Sequence, residues 1–149
     1  MELGTILDEV WSRSRIPETM EFRTDLELEP FILQADPVQL RQVLFNLIQN
    51  ARDASPEDGL VEVKARRDPA SAVCRIEVTD KGCGMDEEQL QRIFEPLYTT
   101  KAKGTGLGLS ICRQIIEEHH GGQISVESEV ASGTRFVIEL PLDKSPKEA

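Results

Sequence analysis

The apolar positions of this chain follow two periods, one near 3.6 residues and one of two, and the switches between them mark the elements. Leu3, Ile6, Leu7, Val10 and Trp11 recur at helical spacing, which predicts an amphipathic helix over 3–15, ended by Pro17. A second helix is predicted over 36–54, with Asp36 as N-cap, Pro37 at the first helical position and Ser55-Pro56 as its end. Short runs predict strands over 20–26, 31–34, 60–66, 73–79, 123–128 and 134–140. A polar turn near Asp68-Pro69 and the Ala131-Ser132-Gly133 segment each join two of them. Further helices fit 86–93 and 106–119, the second stopped by Gly121-Gly122. Strand pairs joined by turns, without regular β-α-β alternation, predict an α+β fold: a two-layer α/β sandwich whose mixed, mostly antiparallel sheet is covered on one face by helices.

A length of 149 residues suits one domain, expected over 16–142, with 1–15 as the end of a linker helix and 143–149 as a disordered tail. A formal charge of -10 argues against non-specific nucleic-acid binding and against an anionic membrane surface, since both rely on Lys and Arg. No run approaches the roughly 20 apolar residues of a membrane span, and no signal peptide is visible. Cys74, Cys83 and Cys112 match neither a disulfide framework nor a zinc spacing, so a cytoplasmic location is expected for the domain, whose parent could still be membrane-anchored.

The helix over 36–54 has three faces. Leu40, Val43, Leu44, Leu47, Ile48, Ala51 and Ala54 fall on the core side, and Arg41 and Arg52 on an expected solvent side. Gln39, Gln42, Asn46, Asn50 and Asp53 form a third stripe. Asn and Asp are poor helix formers, so something should offset them. Either the stripe is a ligand wall, with amide oxygens for a hard cation, or it is a polar face bonded to a neighbouring loop.

Along residues 74–80, Asp80 shares parity with Cys74, Ile76 and Val78, so it points inward where the strand ends. A buried carboxylate needs a donor. The exocyclic amine of adenine is one, and an Asp-Lys-Gly turn capped by its own carboxylate is the alternative. Gly82 and Gly84 allow tight turns and close approach of a flat ring. Thr134 is likewise inward, on the parity of Phe136, Ile138 and Leu140, and either joins Asp80 at a base or is satisfied by backbone.

Gly104-Thr105-Gly106-Leu107-Gly108-Leu109 leads into an apolar helix, a start that lets backbone N–H groups approach phosphates. It fits neither the Walker pattern nor the dinucleotide fingerprint. Tyr98, Thr99, Thr100 and Lys101 precede it as candidate lid donors, with Phe94 and Leu97 as anchors.

In this order, the asparagine box (Gln42 to Ala54), the two glycine boxes, the Phe94-Glu95-Pro96-Leu97-Tyr98-Thr99-Thr100-Lys101 box and the Gly133-Thr134-Arg135-Phe136 strand resemble the catalytic and ATP-binding domain of bacterial sensor histidine kinases, most of all the nitrogen-regulation type. That domain shares a superfamily with gyrase, the mismatch-repair MutL ATPase and the ninety-kilodalton heat-shock chaperone. The resemblance covers roughly residues 30–141 and implies a flexible ATP lid.

It also implies that Asn50 ligates Mg²⁺, that Asp80 binds the adenine amine and that Thr134 supports the base. Gly104, Gly106 and Gly108 would then shape the phosphate site, and Asp53, Gly82, Gly84, Tyr98, Thr99, Thr100, Lys101, Thr105, Leu107 and Leu109 complete the ATP/ADP-binding set. Asn46, Asn50 and Lys101 are its implied catalytic residues. Hydrolytic relatives carry Glu at the place of Asn46, and an amide cannot serve as a general base. The implied activity is phosphoryl transfer from ATP-Mg to a histidine on a separate dimerisation hairpin, with a response-regulator receiver domain downstream.

The acceptor motif is absent from this sequence. His119 and His120, at a helix end, read as structural and as favourable there when protonated. The alternatives are a nucleotide-binding regulatory module without transfer, an ATPase of the gyrase and chaperone class, and an anti-sigma-type serine kinase. Asn46 disfavours the ATPase, and the Phe-Glu-Pro run disfavours the serine kinase.

Overall fold

The computed structural model describes residues 3–14, 18–26, 36–68, 73–95 and 108–141. The expected strand over 31–34 lies outside them, as do the segment 96–107 and the C-terminal tail. The elements are α1 (Leu3–Arg13), β1 (Glu21–Leu26), α2 (Pro37–Ala54), β2 (Leu60–Asp68), β3 (Val73–Asp80), α3 (Glu87–Arg92), α4 (Gly108–Arg113), β4 (Gln123–Glu129) and β5 (Gly133–Pro141). Five strands form one mixed sheet in the order β1-β2-β3-β5-β4. β1 runs parallel to β2, and the other pairs are antiparallel.

Alternation along each strand sorts the sheet into two faces. Val61, Val63 and Ala65 of β2, Cys74, Ile76 and Val78 of β3, and Phe136, Ile138 and Leu140 of β5 are buried in one core with α1, α2 and α4. Charged side chains such as Arg66, Arg75 and Glu127 take the other face, where Arg135 bridges Glu77 at 3.2 Å and Glu127 at 2.5 Å. Cross-strand register aligns Ser128 with Thr134, Thr134 with Asp80, and Asp80 with Val61. The two inward polar residues predicted on separate strands are therefore neighbours.

The Asp36 side chain accepts the N–H groups of Val38 and Gln39, and Ser55 caps the C-terminal end, as the sequence indicates. Asp86 and Gln89 close a capping box on the short α3. Arg41 and Arg52 do not face solvent as expected. Arg41 pairs with Glu9 at 2.7 Å, and Arg52 donates to the Ser14 carbonyl at 3.0 Å. Their side of α2 is covered by α1, whose Leu3, Ile6, Leu7 and Val10 are buried. At about 1.5–3 kcal/mol for each large apolar side chain buried, those four residues hold α1 in the core far more firmly than its polar contacts. Trp11 stacks on Phe22 of β1 with ring centroids 4.0 Å apart.

The predicted final helix has a change of pitch. α4 continues from Gln114 to His119 as a wider π-helical turn. Its closing carbonyls are satisfied outside the helix pattern: Ile116 accepts the N–H of Gly122, and Ile115 takes Nδ1 of His120 at 2.9 Å. Nε2 of His120 then accepts the backbone N–H of Asp36 at 2.9 Å. His120 thus presents a hydrogen on Nδ1 and a lone pair on Nε2, and takes the structural role expected at this helix end. His119 meets Gln39 at 3.1 Å. The two histidines thus fasten the end of one helix to the start of another. His120→Ala should lower the thermal midpoint by about 3–6 °C, from two lost hydrogen bonds worth about 1–2 kcal/mol together, as measured by scanning calorimetry. A midpoint within 1 °C of wild type would remove the clip from the account.

Candidate functional site

Asp80 ends β3 and is only 5% exposed. Its carboxylate accepts the backbone N–H of Gly82 at 2.8 Å and a second N–H from Thr134. Burial pushes the carboxyl above its ordinary value, and the two donors work against that shift. The turn-capping alternative is thus realised in part: Asp80 does cap its own turn. Two N–H donors leave capacity on a carboxylate, which offers about four acceptor positions.

Thr134 is also buried, and its hydroxyl meets Ser128 Oγ at 2.8 Å, not backbone. Ser128 further donates to the Gly133 carbonyl and accepts the Met85 N–H. Sequence reasoning passed over Ser128. The signal was available, because Ser128 shares parity with the inward Ile124 and Val126 on β4.

The glycines of the turn have a definite structural task. A Cβ on Gly82 would lie 2.0 Å from the Ala54 carbonyl oxygen, and one on Gly84 would lie 1.9 Å from that of Glu129. Cys83 N–H bonds the Ala54 carbonyl, and the Cys83 carbonyl accepts from Ala131. The turn is therefore wedged between the end of α2 and the β4–β5 hairpin, which is the tight-turn role expected of these glycines. The Cys83 thiol is exposed, while Cys74 and Cys112 are buried.

α2 carries the amide stripe between two neighbours. Asn46 is half-buried, and its Nδ2 lies 3.4 Å from the Gly108 carbonyl and 3.6 Å from Cys112 Sγ. The Asn46 end of the stripe therefore meets the helix start that the glycine pattern predicted. Eight residues on, about 12 Å along the axis, Ala54 touches the Gly82 turn. Asn50 lies midway and half-buried, and Asp53 is exposed beside the turn. Cys112 is buried, and that burial pushes its thiol up to about 11, which leaves it a neutral packing group.

Leu109 lies in the first turn of α4, half-buried against the core. Phe94 packs against the same core under Arg113, whose guanidinium lies 5.4 Å from the ring centre. The anchoring expected of Phe94 is thus present. Leu97, Tyr98, Thr99, Thr100, Lys101, Gly104, Thr105, Gly106 and Leu107 lie outside the described residues.

The stripe also tests whether a magnesium ion suits this surface. Its donors are amide oxygens of Asn46 and Asn50 and one carboxylate, Asp53, all on one helix side. Mg²⁺ prefers oxygen ligands and keeps several waters and phosphate oxygens, so one or two such donors suffice and the residues fit.

Comparison with known proteins gives a consistent result. A family model described as histidine kinase-, DNA gyrase B- and HSP90-like ATPase matches residues 35–144. Sporulation kinase C of Bacillus subtilis (strain 168) is 39% identical over 141 residues, which span 95% of this chain and 32% of that protein. The catalytic domain of histidine kinase ThkA, in a nucleotide-free form, superposes with a TM-score of 0.84 at 36% identity, over 100% of this chain and 97% of that one. Full-length ShkA in complex with AMPPNP superposes with a TM-score of 0.82 at 28% identity, over 97% of this chain and 31% of that one. The chain thus spans about a third of the curated kinase it matches.

Proposed function

This chain belongs to the family of histidine kinase-, DNA gyrase B- and HSP90-like ATPases, and on that premise we propose that it is the ATP-binding catalytic domain of a sensor histidine kinase. It binds ATP with Mg²⁺ and donates the γ-phosphoryl group to a histidine on a separate helical hairpin of the same kinase. The observation that carries this reading is the buried, register-paired Asp80 and Thr134 beside the amide stripe of α2.

In this mechanism Asp80 accepts a hydrogen bond from the adenine amine, and Thr134 supports the same edge. Asn50 would hold the magnesium ion, which would supply charge neutralisation along the phosphate chain. Asn46 lies against Gly108, where the phosphate-facing helix begins. The bond from the γ-phosphorus to its bridging oxygen breaks, a bond from that phosphorus to the acceptor imidazole nitrogen forms, and ADP leaves. The protein contributes positioning and electrostatics, which dominate phosphoryl transfer. Because Asn46 is an amide, no side chain at that position can take the proton of an attacking water, and hydrolysis is slow. A receiver domain of a response regulator is the next acceptor.

The test mixes the domain with a separately produced acceptor hairpin and γ-labelled ATP. Acid-labile label should appear on the hairpin and not on His119 or His120 of this chain. Asn50→Ala should remove the magnesium dependence of ATP affinity, read by calorimetry with and without Mg²⁺. Tight ADP binding without transfer would favour a nucleotide-binding module in place of a kinase.

A further inference from the structure

The Ser128 hydroxyl has three partners and a fixed donor inventory. It owns one hydrogen and two lone pairs. The Gly133 carbonyl at 2.9 Å can only accept, and the Met85 N–H at 2.8 Å can only donate. Ser128 therefore gives its hydrogen to Gly133 and one lone pair to Met85. Its remaining lone pair takes the hydrogen of Thr134, whose Oγ1 lies 2.8 Å away. This arrangement fills every hydrogen-bonding position of Ser128.

The consequence falls on Thr134. With its hydrogen committed to Ser128, its hydroxyl has only lone pairs to offer. Its register partner Asp80 presents a carboxylate, which also only accepts. Two neighbouring acceptors match a group with two N–H bonds, such as the exocyclic amine of adenine, directly or through an ordered water. A purine with a carbonyl at that place brings an acceptor to acceptors.

We propose that Ser128 is a positioning residue for base specificity: by holding the hydrogen of Thr134, it makes the paired Asp80 and Thr134 side chains acceptor-only and so selects a 6-aminopurine over a 6-oxopurine. This inference rests on the nucleotide reading above. Ser128 itself touches no ligand. It acts on the base through Thr134, and it also ties Met85, after the Gly84 turn, to the β4–β5 hairpin.

The experiment compares ADP with inosine diphosphate by calorimetric titration in wild type, Ser128→Ala, Ser128→Thr and Thr134→Val, and in Ser128→Ala combined with Thr134→Val. Wild type should prefer ADP. Ser128→Ala frees the hydrogen of Thr134 to serve the inosine carbonyl, and the preference should narrow about tenfold, the effect of roughly one hydrogen bond. Ser128→Thr restores the hydroxyl and should keep the preference. Adding Ser128→Ala to Thr134→Val should leave the ratio where Thr134→Val alone puts it. A merely structural Ser128 would weaken both nucleotides equally, and an unchanged ratio in Ser128→Ala overturns the proposal. Where the alanine variant fails to fold by circular dichroism, Ser128→Cys, similar in size and a weak hydrogen-bonding group, is read in its place and should narrow the ratio likewise. Absence of ADP binding in wild type overturns the nucleotide reading and this inference together, whereas ADP binding with no preference over inosine diphosphate overturns this inference alone. A wild-type preference that Ser128 variants do not alter overturns this inference alone.

Discussion

Asp80→Asn is expected to weaken ADP binding about 100-fold in calorimetric titration while the circular-dichroism spectrum stays that of wild type. A hydrogen bond to a charged acceptor contributes about 1.5–3 kcal/mol, and in the proposed site the amide would replace at least one acceptor edge by a donor set against the adenine amine. Binding within threefold of wild type would remove Asp80 from the site. The same residue sets a pH signature. Burial raises its carboxyl above the ordinary 3.8 in the folded protein. The folded state then holds the proton more tightly than the unfolded chain. Asp80 therefore contributes stability that is fully present below 3.8 and is lost as pH rises through the raised value. Urea unfolding of wild type relative to Asp80→Asn should show that decline. On the proposed adenine contact, ADP affinity should run the other way and fall on acidification through the same window, because a protonated carboxyl accepts less well from the amine. A stability difference that is flat with pH, or that grows as pH rises, would contradict the burial account.

Gly133→Ala should be the most damaging small substitution in the hairpin. Gly133 has φ +117, a region closed to side chains, and a Cβ there would lie 2.1 Å from the Asp80 carbonyl oxygen and 2.8 Å from Lys81 Cα. Both obstacles are backbone, so relief requires the hairpin to move. The expected loss is about 3–4 kcal/mol, or about 10 °C in thermal midpoint for a domain of this size. Ser132→Ala, in the same turn and exposed, should change little. A Gly133→Ala midpoint within 2 °C of wild type would mean that the turn relaxes freely and that Asp80 and Thr134 are not rigidly aligned.

The sequence reveals the features that depend on local periodicity. α2 begins and ends at the predicted caps, and Asp80 and Thr134 point inward as strand parity requires. Parity places each residue on a face, and the antiparallel register then makes them neighbours. Periodicity does not say what covers a face. Arg41 and Arg52 read as a solvent side because nothing local announces that α1 returns to lie on them. Gly82 and Gly84 read as a tight turn open to a flat ring, and the sequence does not announce that a side chain at either would meet the carbonyls of Ala54 and Glu129, more than 25 residues away in the chain. His119 and His120 find partners at Gln39 and Asp36, some 80 residues distant. Ser128 was missed for a related reason: its importance lies in three partners from different segments, and none of them is visible from β4 alone.

α2 itself has a further consequence. Two of its sides are occupied, one by the sheet and one by α1, and its exposed residues are Val38, Gln42 and Asp53. These fall on the line that also carries the half-buried Asn46 and Asn50. An ordinary surface helix keeps one flank where evolution can exchange residues silently, and this helix has almost none. Random mutagenesis across it should yield two kinds of loss, collapse of the fold or loss of the proposed nucleotide binding, with the fewest neutral variants of any helix among the described residues.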